Sequence, residues 1–398
     1  MTTRNDTAGP LSGLRVLDVS IMAAGPWTGA LLGMLGADVI KVEPPAGDGT
    51  RWALPTQNGM GTNFISMNVN KKDITLDLKS DEGRGHFVTL SRGADILVQN
   101  FRVGVMDRLG LGYEDLRKVN PKLIYCSISG FGEEGPFRNS GCSDPIMQAF
   151  SGFARLNGAP GESLDAFRFT GFLDLSTAAA AVQAILAALI DRDRTDRGQE
   201  VRVSMIEAAL EMQVTRIAEW LGAGELAMPR GSAAAAFAPD RAYQSADYEI
   251  FVSVCRDSEW SSFCDAIGVP DLACDERFST NTRRVQNRGA LDAVVEPLIA
   301  KKPALWWLRT FNRHEVASGL AHTFEQFRFH RQIAENDMLA EIDTPWGEVT
   351  VAGTPWHFSQ TRCTVTSAPV PDQHTAEVVG ALPAERKPEP LASDVAAS

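Results

Sequence analysis

The chain has few of the residues that build metal and redox sites. Only six histidines and six cysteines occur among its 398 residues. No two cysteines form a C-x-x-C pair and no histidine–cysteine cluster has zinc spacing, so we expect no metal site. No histidine stands beside a G-x-S-x-G motif, which excludes a hydrolase triad of that type. Scattered unpaired cysteines are typical of reducing compartments, and we therefore expect a cytoplasmic protein.

The chain also lacks an excess of basic residues and a long apolar run. Lysine and arginine total 38 against 50 acidic residues, for a formal net charge of -12. Such a balance argues against nucleic acid or an anionic membrane as partner. The most apolar stretch, residues 178–190, contains Gln183 and is too short to span a bilayer. We therefore expect no membrane segment.

What the first half does contain is a regular alternation of strand-like and helix-like runs. Strand patterns at 14–20, 38–45, 73–78 and 95–101 alternate with helical patterns. This alternation predicts an α/β fold with a parallel sheet covered on both faces. The length predicts two sizeable cores. The aperiodic, small-residue stretch 229–245 marks a domain boundary.

Two places along this half can carry chemistry. Asp174 stands directly before an alanine-rich helix, and its residues alone favour an N-cap. A carboxylate there would be kept ionised by the helix dipole and would also be a competent nucleophile. Asn100, Arg102 and Arg108 follow a strand end, where open α/β sheets bind ligands, and Arg108 suits a phosphate. A solvated turn explains the same three residues equally well.

Several ordered blocks carry a family resemblance. The segments LLGMLGADVIKVEPPAGDGTR, NVNKKDITLDLKSDEGR, VQNFRVGVMDRLGLGYEDLRKVN and DLSTAAAAVQAILAALIDRDRTDRGQEVRVSM follow one another along the chain. In this the sequence resembles the class III coenzyme A transferases and the related 2-methylacyl-CoA racemases. The resemblance implies a Rossmann-like large domain, a smaller α+β domain, and an interlocked dimer. The predicted boundaries are 1–228 for the large domain, 229–335 for the linker and small domain, and 336–398 for the return to the large domain.

The resemblance also assigns roles to residues. It implies that Asp174 is the nucleophile, that coenzyme A and acyl-CoA are substrates, and that no cofactor is permanently bound. The residues it implies for CoA binding are Asn100, Phe101, Arg108, Lys41, Lys71 and Lys72. The resemblance also implies a lid at 231–237. The oxyanion donors are then expected to be backbone N–H groups either at the start of the Asp174 helix or in that lid, at Gly231, Ser232 and Ala233.

Departures from the family pattern narrow the expected activity. Ala23 stands where formyl-CoA transferases carry a glutamine, and the lid is bulkier than a glycine-rich one. Both changes favour a larger or more apolar acyl group than oxalate or formate. Ser143 precedes Asp144 where the racemase branch needs a histidine base, which argues against racemase activity. We expect a transferase with succinyl-CoA as the default donor; a racemase-like isomerase and one subunit of a heteromeric transferase are the alternatives.

Overall fold

A computed structural model describes residues 9–156, 158, 159, 161, 162, 171–226 and 228–383. The described residues form two compact units. The first comprises the described residues within 9–151, 171–217 and 334–383, and the second those within 152–162 and 218–333. The second unit therefore also takes in residues 152–162, which no feature of the sequence separated from the first half.

The chain contains 13 strands and 16 α-helices among the described residues, and strands and helices alternate through most of the first unit. The strands are β1 (Arg15–Asp18), β2 (Asp38–Glu43), β3 (Thr56–Gln57), β4 (Met60–Gly61), β5 (Lys71–Thr75), β6 (Ile96–Gln99), β7 (Ile124–Ser129), β8 (Glu200–Ser204), β9 (Asp240–Gln244), β10 (Glu249–Ser253), β11 (Ala317–Leu320), β12 (Leu339–Thr344) and β13 (Gly347–Ala352). The helices are α1 (Ala24–Met34), α2 (Thr62–Met67), α3 (Asp81–Arg92), α4 (Val105–Arg108), α5 (Tyr113–Val119), α6 (Asp144–Phe150), α7 (Phe172–Thr195), α8 (Met205–Glu211), α9 (Val214–Ala223), α10 (Asp257–Ala266), α11 (Asn281–Gln286), α12 (Arg288–Ile299), α13 (Ala304–Arg313), α14 (Phe324–Arg328), α15 (Arg331–Ala334) and α16 (Thr375–Gly380).

The first unit is built on a six-stranded sheet in the order β5-β2-β1-β6-β7-β8. All five pairings are parallel, which confirms the predicted parallel sheet. Val16 and Leu17 of β1 are fully buried, as a sheet covered on both faces requires. The strand order reverses between β1 and β6, and in such doubly wound sheets ligands bind outside the carboxyl ends of the strands at this point.

Helix α7 is longer than the apolar stretch seen in the sequence. Its 24 residues make it long and apolar enough to cross a membrane by length and composition alone. A core helix meets the same criteria, and α7 packs against α1, β7 and β8 through Ala181, Ile185 and Ala188. Because α7 ends at Thr195, just before β8 begins, its first turn lies at the carboxyl edge of the parallel sheet.

The second unit has its own core. An antiparallel sheet in the order β11-β10-β9 packs with α10–α13 around the buried rings of Phe263, Phe278 and Phe311. Arg284 is buried there and donates hydrogen bonds to the carbonyl oxygens of Ala238 and Phe278. The unit therefore combines helices with a small antiparallel sheet. The hairpin of β12 and β13 follows it in sequence and belongs to the first unit.

Candidate active site

Asn100 joins the ends of the two strands at which the sheet order reverses. Its Oδ1 accepts a hydrogen bond from the N–H of Ile21 at 2.8 Å, and its Nδ2 donates to the Ile21 oxygen at 2.7 Å. Phe101 follows, half-buried, with its N–H donating to Gln99 Oε1. The amide of Asn100 therefore ties the segment after β6 to the segment after β1.

Arg108 follows the same strand, β6, but does not line the cavity found at the strand ends. It is exposed at the end of α4 and makes no ion pair within the part of the chain that the structure describes. A cavity of about 220 Å³ lies at the carboxyl ends of β6 and β7, and Phe101, Arg102 and Arg138 are among its lining residues. Arg138 was not identified from the sequence, because nothing in the GEEGPFRNS segment distinguishes it from a surface arginine.

The structure gives Lys41 and Lys71 a different role from the predicted one. Lys71 is buried, and its Nζ donates to Asp18 Oδ2 at 2.7 Å, to the Pro26 oxygen at 2.7 Å and to Asn68 Oδ1 at 2.8 Å. An ammonium group has three donors, so none is left for a phosphate. The structure therefore gives Lys71 a structural role, and its contact with the nucleotide stays a prediction.

Lys41 is likewise a structural residue. Its side chain is fully buried, and its Nζ donates to the Ser20 oxygen and to Asp48 Oδ2 at 3.1 Å. Burial opposes its charge, but the carboxylates of Asp18, Asp48 and Glu43 outweigh burial and raise its pKa. The charged ammonium is thus enclosed and paired inside the first unit, and the predicted phosphate contact of Lys41 stays a prediction.

Lys72, the third lysine of this group, points to solvent. It forms exposed ion pairs with Asp38 at 3.2 Å and with Glu377 at 3.8 Å. Exposed pairs of this kind contribute only about 0–1 kcal/mol. The CoA-binding role of Lys72 remains a prediction.

Asp174 is the third residue of α7 and does not cap it. The residue before the helix is Gly171, with φ 71° and no capping side chain. The N–H groups of Leu173 and Asp174 instead donate to Asp144 Oδ2, at 2.6 and 3.1 Å. Asp144 is buried and also accepts a hydrogen bond from Gln148. The predicted N-cap is therefore wrong: a carboxylate thirty residues earlier caps the helix, and the side chain of Asp174 is left free of that task.

The pKa of Asp174 also departs from the expectation. Burial, and secondly the charge of Asp144, raise the pKa of Asp174 to about 7. The helix start was expected to keep this carboxylate ionised, but the N–H groups that would do so are already bonded to Asp144. The Asp174 carboxylate takes part in no hydrogen bond or ion pair with other described side chains. A half-buried, unpaired carboxyl group is a candidate for chemistry.

Apolar side chains surround the start of α7. Leu173 packs in one cluster with Met147, Met205 and Ala209, and Phe131 packs against that cluster. Cys142 lies on the same cluster, and burial followed by the charge of Asp174 raises the pKa of its thiol to about 11. The thiol is therefore neutral near pH 7, and Asp174 faces a low-polarity surrounding in the first unit.

The proposed oxyanion donors at 231–233 lie in the second unit and are largely occupied. The N–H of Gly231 donates to the Gly158 oxygen at 2.9 Å, and that of Ala233 to the Arg230 oxygen at 3.2 Å. Ser232 Oγ accepts a hydrogen bond from the N–H of Ala242. Both N–H groups thus have carbonyl partners in this structure, and the oxyanion-binding role of Gly231, Ser232 and Ala233 stays a prediction.

Comparisons with known proteins agree on one family. The model of CoA-transferase family III matches residues 11–375. The chain is 35% identical to an acetyl-CoA:oxalate CoA-transferase of Acetobacter aceti, covering 90% of this chain and 91% of that protein. It is 31% identical to the succinyl-CoA:glutarate CoA-transferase of Mus musculus, covering 94% and 86% respectively. The crystal structure of a CAIB/BAIF family protein from Brucella suis superposes with a TM-score of 0.84 at 33% identity, covering 95% of this chain and 100% of that one.

Proposed function

Because the chain belongs to CoA-transferase family III and is an enzyme of that class, we propose that Asp174 carries its transfer chemistry covalently. The observation that supports this is the state of the Asp174 carboxyl group: half-buried, unpaired among the described residues, and with a pKa raised to about 7. A desolvated carboxylate is a stronger nucleophile than a hydrated one. Asp144, not Asp174, caps the start of α7, so the Asp174 carboxyl group is not needed for that purpose.

The first half of the reaction loads the enzyme. A carboxylate oxygen of Asp174 attacks the thioester carbonyl of the donor, the carbon–sulfur bond breaks, and coenzyme A leaves as a thiolate. The product is a mixed acyl-aspartyl anhydride. The thiolate then attacks the aspartyl carbonyl carbon, the anhydride carbon–oxygen bond breaks, and the donor acid leaves as a carboxylate. Asp174 now carries coenzyme A as a thioester.

The second half runs these steps in reverse with another acid. The acceptor carboxylate attacks the aspartyl thioester, giving a new anhydride and the CoA thiolate. The thiolate attacks the acceptor's acyl carbon, which forms the product thioester and restores the Asp174 carboxylate. No proton is consumed overall, so the donor thioester, the acceptor carboxylate and the Asp174 carboxylate suffice, and the CoA thiolate is released and used again within the cycle. Each tetrahedral intermediate needs hydrogen-bond donors for its oxyanion.

The donors for this oxyanion are not the first N–H groups of α7. Leu173 and Asp174 already give theirs to the Asp144 carboxylate. An oxyanion beside that carboxylate would also be repelled by its charge. We therefore place the oxyanion donors elsewhere in the chain.

The acids exchanged can be found by a substrate screen. We propose succinyl-CoA as the donor, with a larger or more apolar carboxylic acid than oxalate as the acceptor. The support is Ala23 at the start of α1 and the cluster around Leu173, both of which present apolar surface. Incubation of the purified chain with succinyl-CoA and a panel of carboxylic acids, followed by mass spectrometry, should show new acyl-CoA species. Absence of any transfer across several donors would contradict the proposal.

Arg108 is proposed to bind a phosphate of coenzyme A. Replacing Arg108 by alanine should raise the Michaelis constant for the acyl-CoA donor by roughly 10- to 100-fold, as expected for one lost charge-assisted contact. The turnover number should change little, since the contact forms equally in the ground and transition states. Steady-state kinetics test this, with Arg92→Ala as the control because Arg92 ends α3 at the opposite edge of the sheet. A fall in turnover without a change in Michaelis constant would exclude the phosphate role.

We also propose that the chain works as a cytoplasmic dimer. Within the second unit, helix α9 leaves the large apolar side chains of Trp220 and Leu221 exposed. Exposed apolar surface of this extent is typical of interaction sites. Native mass spectrometry of the chain expressed alone should give twice the monomer mass. An inactive monomer would favour instead a heteromer with a related subunit.

A further inference from the structure

Both oxygens of the Asp144 carboxylate accept hydrogen bonds. Oδ2 accepts the N–H groups of Leu173 and Asp174, and Oδ1 accepts a hydrogen bond from Nε2 of Gln148. The side chains are deeply buried, with Asp144 only 4% and Gln148 only 2% exposed. A buried carboxylate is costly unless donors satisfy it, and Gln148 supplies the donor at Oδ1. Gln148 therefore takes part in holding the residue that caps α7.

The position of Gln148 follows from helix α6. Gln148 lies four residues after Asp144, so both side chains project from the same face of the helix. This helix packs against α7 and α8. Met147, which precedes Gln148, is fully buried in the cluster that contains Leu173 and Met205. One turn of a packed helix thus brings the amide of Gln148 to Asp144.

The hydrogen bonds to Asp144 have an electrostatic consequence for Asp174. Donors on both oxygens favour the charged form of the Asp144 carboxylate. That charge, after burial, is the cause of the raised pKa of Asp174, about 7. The neighbouring thiol of Cys142 is neutral near pH 7, and Glu207 and Glu211 of α8 are exposed. The charge of Asp144 is therefore the one that acts on the Asp174 carboxyl group.

We infer that Gln148 is a positioning residue that fixes the orientation and the charge of the Asp144 carboxylate, and through it the Asp174 carboxyl group. The inference rests on the proposed function, in which Asp174 is the nucleophile. A glutamine amide suits this role because it donates a hydrogen bond without carrying a charge. A lysine or arginine at the same place would neutralise Asp144 and remove its effect on Asp174.

Replacing Gln148 by leucine tests the inference. Leucine is of similar size but has no donor, so Oδ1 of Asp144 is left unpaired. The turnover number at pH 8 should fall roughly tenfold or more, and the Michaelis constant for the acyl-CoA donor should stay within about twofold. Gln213→Leu is the matched control, because Gln213 is also buried but donates to the oxygens of Ala209 and Ser151. Its turnover should stay within about twofold of the wild type.

The dependence on pH separates positioning from packing. A buried carboxylate that has lost a donor is more easily protonated, so Gln148→Leu should lower the pKa of Asp174 from about 7. Loss of packing alone would not lower it. Gln148→Glu should transfer CoA within about threefold of the wild type near pH 5, where the introduced carboxyl group is neutral and donates to Asp144. Near pH 8 its ionised form repels Asp144, and turnover should fall to the level of Gln148→Leu.

The ionisation of Asp174 can be followed without CoA transfer. Denaturant unfolding of each enzyme is compared with that of its Asp174→Ala partner between pH 4 and pH 8. A lowered pKa of Asp174 in Gln148→Leu, with no transfer by the wild type, would overturn the proposed function but keep the link from Gln148 to Asp174.

The opposite result would overturn the inference and keep the proposed function. In that case the wild type transfers CoA, and Gln148→Leu shows the same turnover and the same ionisation of Asp174. If Gln148→Leu does not fold, Gln148→Glu decides the question. Equal activity relative to the wild type near pH 5 and near pH 8 would then overturn the inference.

Discussion

Replacing Asp174 by alanine should abolish CoA transfer, with a loss on the order of a thousandfold or more, as for removal of a covalent nucleophile. Without the carboxylate neither the anhydride nor the aspartyl thioester can form. Transfer between succinyl-CoA and a competent acid, followed by mass spectrometry, measures the loss. Incubation of the wild type with donor alone should add the mass of coenzyme A to the peptide that contains Asp174.

Controls on the same helix make this result specific. Asp193→Ala removes an exposed acid from the far end of α7 and should leave transfer unchanged. Asp174→Asn keeps the shape of the side chain but should be as inactive as the alanine variant. Substantial transfer by either Asp174 variant, with no CoA adduct on the wild type, would show that another group is the nucleophile.

The Asp174→Ala variant should also change how the stability of the protein depends on pH. A carboxyl group whose pKa is raised on folding binds its proton more tightly in the native state, so its contribution to stability falls as pH rises from about 4 to about 7. Above pH 7 the folded protein holds a charged Asp174 beside Asp144 at a cost. Asp174→Ala should therefore unfold at no lower denaturant concentration than the wild type at pH 8. The ionised form of Asp174 that the proposed reaction needs is thus the form that lowers the stability of the folded protein.

Transfer should depend on pH through the ionisation of Asp174. Since only the carboxylate attacks, kcat/KM for the donor should fall about tenfold per pH unit below pH 7 and level off above it. Asp144→Asn should move this limb to lower pH, because the negative charge beside Asp174 is removed. The shift should be partial, because burial is the larger cause of the raised pKa. Asparagine keeps an oxygen for the N–H groups of Leu173 and Asp174, so the helix start is preserved.

A pH series on three enzymes checks this expectation. The wild type, Asp144→Asn and Ser143→Ala are compared, the last as a neighbour that changes no charge. Equal acid limbs in all three would mean that the charge of Asp144 does not act on the reacting group. A limb that moves to higher pH in Asp144→Asn would contradict the assignment of Asp174 as the group that titrates.

Some parts of the fold could be predicted from local patterns. Buried strands such as β1 and β6 show as apolar runs, and their alternation with helices predicts a parallel sheet because only crossover connections join parallel strands. Helix α7 shows through its alanine and leucine content. These features depend on neighbours in sequence, and each was confirmed.

Other parts depended on residues far apart in sequence. Lys41 and Lys71 look like surface cations in their motifs, yet they neutralise Asp48 and Asp18 inside the first unit. The ion pair between Lys71 and Asp18 joins residues of β5 and β1, and the order of these strands in the sheet cannot be read from the sequence. A lysine near a strand end therefore cannot be assigned to a ligand until its acceptors are known.

The sequence by itself determined the family, the parallel sheet and the position of Asp174 at the start of a long helix. Only the tertiary structure decided whether the Asp174 carboxyl group caps the helix and what its pKa is. Asp144 accepts the N–H groups of that helix start and lends its charge to the raised pKa of Asp174. That arrangement depends on the contact between α6 and α7 and on burial, and neither can be read from the residues adjacent to Asp174. The local sequence favours Asp174 as a helix cap, but Asp144 accepts the N–H groups of the helix start, and the Asp174 carboxyl group has no partner among the described residues.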